Sequence, residues 1–222
     1  MSTSSPPLAQ ALHSLGHPPL IYTSCYCEEN CYKLVERLRS LHVDLRSVHV
    51  VFISNPHERA ILWRQKSSTW GLNGQVIWDY HVIVVVKSPE LPHALVLDFD
   101  TTLPLLCPFP TYAREALYPN GYQAWIRDLG ARLYRVVSGD AFLEHFASDR
   151  SHMIAADGTY NSPPPSYPPI KTKDSTMNLD SYRKMSLAEP SADRSDSKFG
   201  TLFTEQQFCN YFLGDGSGSS GE

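Results

Sequence analysis

Three cysteines lie close together near the start of the chain, Cys25, Cys27 and Cys31. A cysteine attacks a carbonyl carbon as its thiolate, and the unpaired N–H groups and dipole at a helix N-terminus favour that negative charge. Cys27 stands at such a point, because Glu28 and Glu29 follow it and apolar residues then recur at helical spacing. Cys25 precedes the predicted helix. Cys27 is therefore the candidate nucleophile.

Two other interpretations of these cysteines stay open. A free cysteine often packs as a small hydrophobic residue, so all three could be structural. Zinc sites use cysteine pairs with two to four residues between them, and Cys27 with Cys31 has that spacing. A second matched pair is missing from the sequence, and we therefore expect no metal.

A thiol nucleophile also needs a base, and the base needs a partner that fixes its orientation. His81 opens the apolar run at residues 82–86, which places it at the edge of a strand entering the core. Taken alone, such a histidine is more often structural than catalytic. Asp98 and Asp100 lie on the next β-rich run, and an acid within a strand is costly unless it is paired. These residues could supply the base and its orienting group.

The register between the two runs decides which acid meets the histidine. Symmetric pairing about residue 90 sets His81 opposite Phe99 and places Asp98 on the other face. A slip of one residue, or a bulge, brings Asp98 alongside His81. Spacing alone does not choose between these arrangements.

The sequence also predicts the elements that position these side chains. Apolar periodicity predicts a helix from residue 27 to about residue 42. Residues 88–92 separate two β-rich runs, 75–87 and 93–100, and so short a connection permits only an antiparallel hairpin. The remaining predicted elements are strands at 47–54 and 133–137 and helices at 140–147 and 204–213, the last with a capping box of Thr204 and Gln207. We therefore predict a mixed α/β fold.

The composition indicates one folded domain with appendages. The 222 residues are 42% hydrophobic, 11% aromatic and 19% charged, which supplies a sizeable core. Prolines cluster in residues 1–20 and 161–170, where they disfavour helices and sheet ladders. We predict a flexible Pro-rich arm at 1–20, a single catalytic domain at 21–213 with a Pro-rich loop at 161–170, and a flexible Gly/Ser tail at 214–222.

Charge and hydropathy argue against several classes of partner. Lys and Arg total 19 against 23 for Asp and Glu, a net charge of -4, so no general positive field exists for nucleic acid. The apolar run at 82–86 is far shorter than the roughly 20 residues of a membrane span. The first basic residue is Lys33, and no signal peptide is expected. Five cysteines, an odd number, indicate free thiols, and we expect a cytosolic or nuclear protein.

Four blocks of this sequence resemble the protein N-terminal glutamine amidohydrolase family. They are YTSCYCEEN at 22–30, VIWDYHV at 76–82, DFDTTLP at 98–104 and FASDRSHM at 146–153. The similarity extends with interruptions from about residue 21 to 182 and includes PPPSYPPI at 163–170 and MNLD at 177–180. Residues 1–20, about 183–200 and the tail from 214 have no clear counterpart, and agreement is weak at 55–74 apart from the region of Trp63.

The resemblance implies an α/β fold with a papain/transglutaminase-like core, a central antiparallel sheet and the nucleophile at a helix N-terminus. Its pattern assigns the thiol to Cys27, the base to His81 and the orienting carboxylate to Asp98. The implied reaction hydrolyses the side-chain amide of an N-terminal glutamine to glutamate and ammonia through a thioester. The implied role is a step in protein degradation that depends on the N-terminal residue.

The same resemblance implies substrates that are proteins or peptides with N-terminal glutamine, with no cofactor. We expect a monomer. An α-ammonium group needs a carboxylate or carbonyls at the pocket wall. Candidates for substrate binding are Glu28, Trp78, Asp79, Asp100 and Asp149. We also expect an ion pair within the Asp149–Arg150–Ser151 group to brace the site.

Two alternatives compete with this assignment. One is a cysteine peptidase or a transglutaminase-like acyl transferase with the same triad. The other is a non-enzymatic adaptor in which PPPSYPPI docks on aromatic grooves of partner proteins.

Overall fold

A central antiparallel sheet organises the protein, as seen in a computed structural model that describes residues 8–69, 73–118, 129–186 and 198–213. In chain order the strands are β1 (Val48–Ser54), β2 (Ala60–Leu62), β3 (Val76–Trp78), β4 (His81–Val86), β5 (Leu95–Leu97), β6 (Cys107–Pro108), β7 (Leu133–Ser138) and β8 (Thr201–Thr204). Six of them form one sheet in the order β6-β5-β4-β1-β7-β8, and β2 pairs with β3 in a separate ladder.

Helices cover both faces of this sheet. They are α1 (Leu8–His13), α2 (Cys27–Ser40), α3 (Phe109–Tyr112), α4 (Gly139–His145), α5 (Asp180–Arg183) and α6 (Glu205–Leu213), with 3-10 turns at Leu45–Ser47 and Ser151–Met153 and a π turn at Ala113–Leu117. Alternate residues of β1 enter opposite cores, since Val50 packs on the α2 side and Val51 on the side of α3 and α6. The fold is thus a single mixed α/β domain.

The helix predicted after Cys27 is confirmed and ends at Ser40, two residues short of the expected limit. Its buried stripe contains Cys31, Leu34 and Leu38, each at most 1% exposed. The predicted strands at 47–54 and 133–137 correspond to β1 and β7, and the predicted helix at 140–147 corresponds to α4. At the start of α6 the capping box is also present, because Gln207 Oε1 accepts the Thr204 backbone N–H at 2.9 Å.

The run at 75–87 is two strands, where one had been predicted. β3 pairs with β2, whereas β4 pairs with β1 and β5 in the central sheet. Asp79 and Tyr80 form the break between the two ladders. His81 is therefore the first residue of β4, and Trp78 is the last residue of a different strand.

The hairpin of β4 and β5 is antiparallel as predicted, and its register answers the question that spacing left open. Val84 pairs with Leu97 and Val86 with Leu95. This register is one residue away from the symmetric one. Extended past the end of β5, it sets His81 opposite Asp100, with Asp98 two residues away on the same face. Both acids therefore approach His81.

Part of the expected N-terminal arm is folded. Residues 8–13 form α1, and Leu8, Ala11, Leu12 and Leu15 are buried in the core on the α2 side. Their spacing gives an apolar helical stripe, which the neighbouring prolines masked in the sequence. Residues 1–7 and the predicted tail at 214–222 lie outside the described residues. Within the described ranges, no helix is long and apolar enough to span a bilayer.

Candidate active site

A cavity of about 590 Å³ opens where α2, β4 and the loop after β5 meet. Five residues singled out from the sequence line it: Cys27, Trp78, Asp79, His81 and Asp100. The wall also contains Tyr22, Cys25 and His152. The fold thus brings the candidate thiol and the candidate base to one cavity from positions 54 residues apart.

Cys27 is the first residue of α2 and is half-buried. Its Sγ lies 3.6 Å from Glu28 Oε2, within hydrogen-bonding distance of that carboxylate. Burial, followed by the Glu28 carboxylate, raises the pKa of the Cys27 thiol well above its usual value. The expectation that the helix start would lower this pKa is therefore wrong, because burial and a neighbouring negative charge outweigh the helix terminus.

His81 and Asp98 form a buried pair with 2.9 Å between Nε2 and Oδ1, and their side chains are 1% and 0% exposed. Burial acts against the charged forms of both groups. The attraction between them outweighs it, so the pKa of His81 is raised and the pKa of Asp98 is lowered. The Asp98 carboxylate therefore stabilises the imidazolium whenever His81 is protonated.

Asp98 accepts three further hydrogen bonds. The Asp100 N–H donates to Oδ1 at 2.9 Å, and the Tyr112 hydroxyl donates to Oδ2 at 2.8 Å. A longer contact of 3.5 Å joins the amide of Gln65 to the same Oδ2. Tyr112 and Gln65 were missed from the sequence, since neither has a local signal that connects it to position 98.

The ring of His81 is held on its face as well as at its edge. Trp78 stacks on it with 5.2 Å between ring centroids and an interplanar angle of 18°. Trp78 Nε1 in turn donates to Gln65 Oε1 at 3.3 Å. The other ring nitrogen of His81, Nδ1, is buried and has no hydrogen-bond partner in the described part of the chain. This nitrogen is available for proton transfer.

The four acidic candidates for substrate binding occupy different environments. Glu28 is fully buried, and its Oε2 accepts the Tyr80 hydroxyl at 3.0 Å. Asp79 is exposed on the cavity wall and accepts the Tyr80 N–H. Asp100 also lines the cavity and accepts the Tyr22 hydroxyl at 2.6 Å. Asp149 is absent from the lining residues and accepts the Ser151 N–H at 2.9 Å, which begins a 3-10 turn.

The ion pair expected between Asp149 and Arg150 is replaced by one between Arg150 and Glu29. Two bonds of 2.9 Å join the guanidinium to this carboxylate, and both residues are buried. Arg150 also donates to the carbonyls of Pro165 and Tyr167. It therefore ties the Pro-rich loop to the first turn of α2, beside Cys27.

His152 is a second histidine on the cavity wall that sequence reasoning did not single out. Its Nε2 lies 3.5 Å from Glu28 Oε1. Cys25 lines the cavity too, but it is exposed and has a left-handed backbone with φ 68°. The two thiols therefore differ in burial and in backbone conformation, and only Cys27 lies on the helix.

His81, Asp98 and Asp100 offer ligand atoms within 4.8 Å of one another, a grouping that could hold a cation. The Nε2 and Oδ1 atoms of the first two are hydrogen-bonded to each other. Cys27 and Cys31, the zinc pair considered above, belong to no group of three metal-ligating side chains among the residues described. Cys31 instead donates to the carbonyl of Val82 at 3.4 Å.

Comparison with known proteins identifies the family. The family model of N-terminal glutamine amidase matches residues 22–212. A protein N-terminal glutamine amidohydrolase of Danio rerio is 44% identical over 163 residues, covering 73% of this chain and 78% of the relative. Relatives of the same name from Bos taurus and Homo sapiens are 39% and 37% identical, covering 83% and 86% of this chain and 88% and 87% of their own. The chain therefore belongs to the N-terminal glutamine amidase family, whose members are hydrolases of amide carbon–nitrogen bonds.

Proposed function

We propose that this protein hydrolyses the side-chain amide of N-terminal glutamine in proteins and peptides, giving N-terminal glutamate and ammonia. Membership of the family supports the reaction. The observation that carries the mechanism is that Cys27 and His81 line one cavity, while Nε2 of His81 is hydrogen-bonded to Asp98. We assign these three residues as nucleophile, base and orienting carboxylate.

In the first half of the reaction, His81 in its neutral form accepts the proton of the Cys27 thiol, and the sulfur attacks the carboxamide carbon. The raised pKa of the thiol means that it stays protonated until a base takes the proton. Asp98 stabilises the resulting imidazolium and raises its pKa. His81 then protonates the departing ammonia, which leaves a thioester on Cys27.

In the second half, His81 deprotonates a water molecule that attacks the thioester, the carbon–sulfur bond breaks to release glutamate, and His81 returns the proton to the Cys27 sulfur. Each tetrahedral intermediate carries a negative oxygen that needs hydrogen-bond donors. The first hydrogen bond of α2 joins the Asn30 N–H to the Tyr26 carbonyl, so the N–H of Cys27 precedes the hydrogen-bonded turns. We assign this N–H and one from the preceding residues 24–25 to the oxyanion site.

The arrangement of the elements supports a papain/transglutaminase-like core, because the thiol begins a helix, the base begins β4 and the acid directly follows the neighbouring antiparallel strand β5. We further propose that the enzyme acts as a monomer in the cytosol or nucleus, without a cofactor. There it would prepare substrates for degradation that depends on the N-terminal residue.

The test uses three peptides of one sequence context, with glutamine at a free N-terminus, at an acetylated N-terminus or in the interior. Amide hydrolysis replaces NH₂ with OH and adds about 1 Da. We expect this product, with ammonia, from the free N-terminal peptide alone, and we expect Cys27→Ala to abolish it. The matched control is Cys25→Ala at the other thiol of the cavity, which should retain activity.

Other results would contradict the proposal. Equal ammonia release from all three peptides would favour a general glutaminase or transglutaminase-like acyl transferase, and cleavage of the peptide backbone would favour a peptidase. Activity that persists in Cys27→Ala would refute nucleophilic catalysis by this thiol.

A further inference from the structure

Two carboxylates line the cavity, Asp79 and Asp100, and of these Asp100 is the less exposed and lies beside the His81–Asp98 pair. Asp98 is saturated by four hydrogen-bond donors, and Glu28 lies behind the wall. Asp79 faces solvent. In the described ranges, Asp100 forms no ion pair, and the nearby Lys66 donates to the Phe99 carbonyl.

Asp100 also lies at a suitable distance from the reacting groups. Its carboxylate is within 4.8 Å of ligand atoms of both His81 and Asp98. Its negative charge contributes to the raised pKa of Cys27 and of His81, although burial is the larger influence on each. In glutamine, four bonds separate the α-nitrogen from the carboxamide carbon, a reach of about 5 Å. An ammonium group bound by Asp100 would therefore leave that carbon inside the cavity that Cys27 and His81 line.

The proposed thioester has a side reaction that the enzyme must suppress. The α-amine of the same residue can attack the γ-carbonyl and close a five-membered lactam. In that step a carbon–nitrogen bond forms and the carbon–sulfur bond breaks. The electron pair returns to the Cys27 sulfur, and the amine proton passes to His81. The product is a pyroglutamyl peptide, and no water is consumed. Only an unprotonated amine within reach of the carbonyl can do this.

We propose that Asp100, oriented by Tyr22, binds the substrate's α-ammonium group and thereby both selects a free N-terminus and keeps the thioester linear until water attacks it. This inference rests on the proposed function. An ammonium paired with a carboxylate keeps its proton, so its nitrogen has no lone pair for attack. Tyr22 Oη holds Asp100 Oδ1 at 2.6 Å and fixes the orientation of the acceptor.

The experiment compares Asp100→Asn with the wild-type enzyme on two peptides. One begins with glutamine, and the other begins with 4-carbamoylbutanoyl, which is the same residue without its amine. We expect Asp100→Asn to lower kcat/KM for the glutamine peptide by about 10- to 100-fold, as for a lost charge-assisted hydrogen bond. Activity on the amine-free peptide should fall by a clearly smaller factor, because that peptide has no ammonium group for Asp100 to bind, and its persistence also shows that the variant is folded. Part of the glutamine product should become pyroglutamyl, about 17 Da lighter than the substrate.

Two further variants complete the test. Asp79→Asn removes the other acid of the cavity wall. It should leave unchanged the ratio of kcat/KM for the glutamine peptide to kcat/KM for the amine-free peptide. Tyr22→Phe should lower the kcat/KM for the glutamine peptide relative to that for the amine-free peptide, as Asp100→Asn does, because Asp100 loses its orienting donor. If Asp100→Asn lowered kcat/KM by the same factor for both peptides, or for neither, Asp100 would not be the group that binds the α-ammonium. If Asp100→Asn changed the ratio but formed only the glutamate peptide and no pyroglutamyl peptide, Asp100 would not be what prevents the thioester from cyclising.

Failure of this inference is distinguishable from failure of the proposed function. If the wild-type enzyme adds about 1 Da to the glutamine peptide and Cys27→Ala does not, the proposed function stands whatever Asp100→Asn shows. If the wild-type enzyme forms no such product, both proposals fall together.

Discussion

Cys27 Sγ and Glu28 Oε2 lie 3.6 Å apart, although the Glu28 side chain is fully buried. The placement puts a carboxylate against the proposed nucleophile and opposes its ionisation. Glu28 also accepts the Tyr80 hydroxyl and approaches His152. It therefore connects the thiol to the cavity wall while keeping that thiol protonated in the resting enzyme.

Replacing Glu28 by glutamine should make Cys27 more reactive toward alkylation. The substitution removes a negative charge and keeps the size of the side chain, so the pKa of the Cys27 thiol should fall. Both proteins carry Cys25→Ser, so that the other thiol of the cavity is absent. We expect iodoacetamide to alkylate Cys27 at pH 7 about tenfold faster in the Glu28→Gln variant than in the protein that keeps Glu28. The pH dependence of this rate, followed by mass spectrometry, is the measurement.

The matched control is Glu36→Gln, the same chemical change eight residues further along α2. It should leave the alkylation rate of Cys27 unchanged. A Glu28→Gln rate no faster than that of the control would show that the carboxylate does not govern the ionisation of the thiol.

Removing Arg150 should destabilise the fold strongly. Arg150→Met leaves Glu29 as a buried charge without its cation, and breaking such a pair costs about 3–5 kcal/mol. The free energy of unfolding in urea measures the loss. The double variant Arg150→Met/Glu29→Leu should lose less, because it leaves no uncompensated charge.

Arg46→Met serves as the control for this prediction, since Arg46 pairs with Asp44 on the surface. The surface pair is screened by water, and its removal should change unfolding little. If Arg150→Met were as mild as Arg46→Met, or the double variant less stable than Arg150→Met, the buried pair would not have the role described.

The backbone at Cys25 should tolerate glycine better than a branched residue. A φ of 68° is strained for residues with a Cβ, most of all for β-branched ones, and glycine adopts it freely. Cys25→Gly should keep its activity and stay within about 1 kcal/mol of wild-type stability, whereas Cys25→Val should lose about 1–2 kcal/mol. Chemical unfolding and ammonia release measure both. Loss of activity in the glycine variant would contradict a purely structural role for this cysteine.

Local patterns were sufficient to predict α2, β1 and the hairpin of β4 and β5, because periodicity and a short connection determine them. The sequence also singled out five of the residues that line the cavity. It did not separate β3 from β4, since that break depends on pairing with β2, a strand of three residues without a signal of its own.

The partners of the candidate residues were harder to predict, because they depend on contacts between distant positions. Arg150 meets Glu29 across 121 residues and Tyr112 meets Asp98 across 14, and no spacing rule connects either pair. The adjacent Asp149 therefore seemed the natural partner of Arg150. Likewise, the thiol pKa could not be inferred from the helix start, since burial and Glu28 dominate it.

The His81–Asp98 pair should stabilise the fold within a definite pH window. The pKa of His81 is raised above 6.5, so its contribution is complete below pH 6.5 and is lost as the pH rises through the folded value. The pKa of Asp98 is lowered below 3.8, so its contribution is complete above pH 3.8 and is lost as the pH falls. The pair should therefore contribute most between these two values.

The measurement compares the unfolding free energy of the wild-type protein with that of His81→Gln/Asp98→Asn across pH 3 to 9. Neither replacement titrates, so the difference between the two proteins isolates the pair. We expect this difference to be largest between pH 3.8 and 6.5 and to decline on either side. A difference that stays constant would mean that folding shifts the pKa of neither residue, so that the charges of His81 and Asp98 do not stabilise each other in the folded protein. Asp98 would then hold His81 by a hydrogen bond alone and would not stabilise the imidazolium that the proposed mechanism requires.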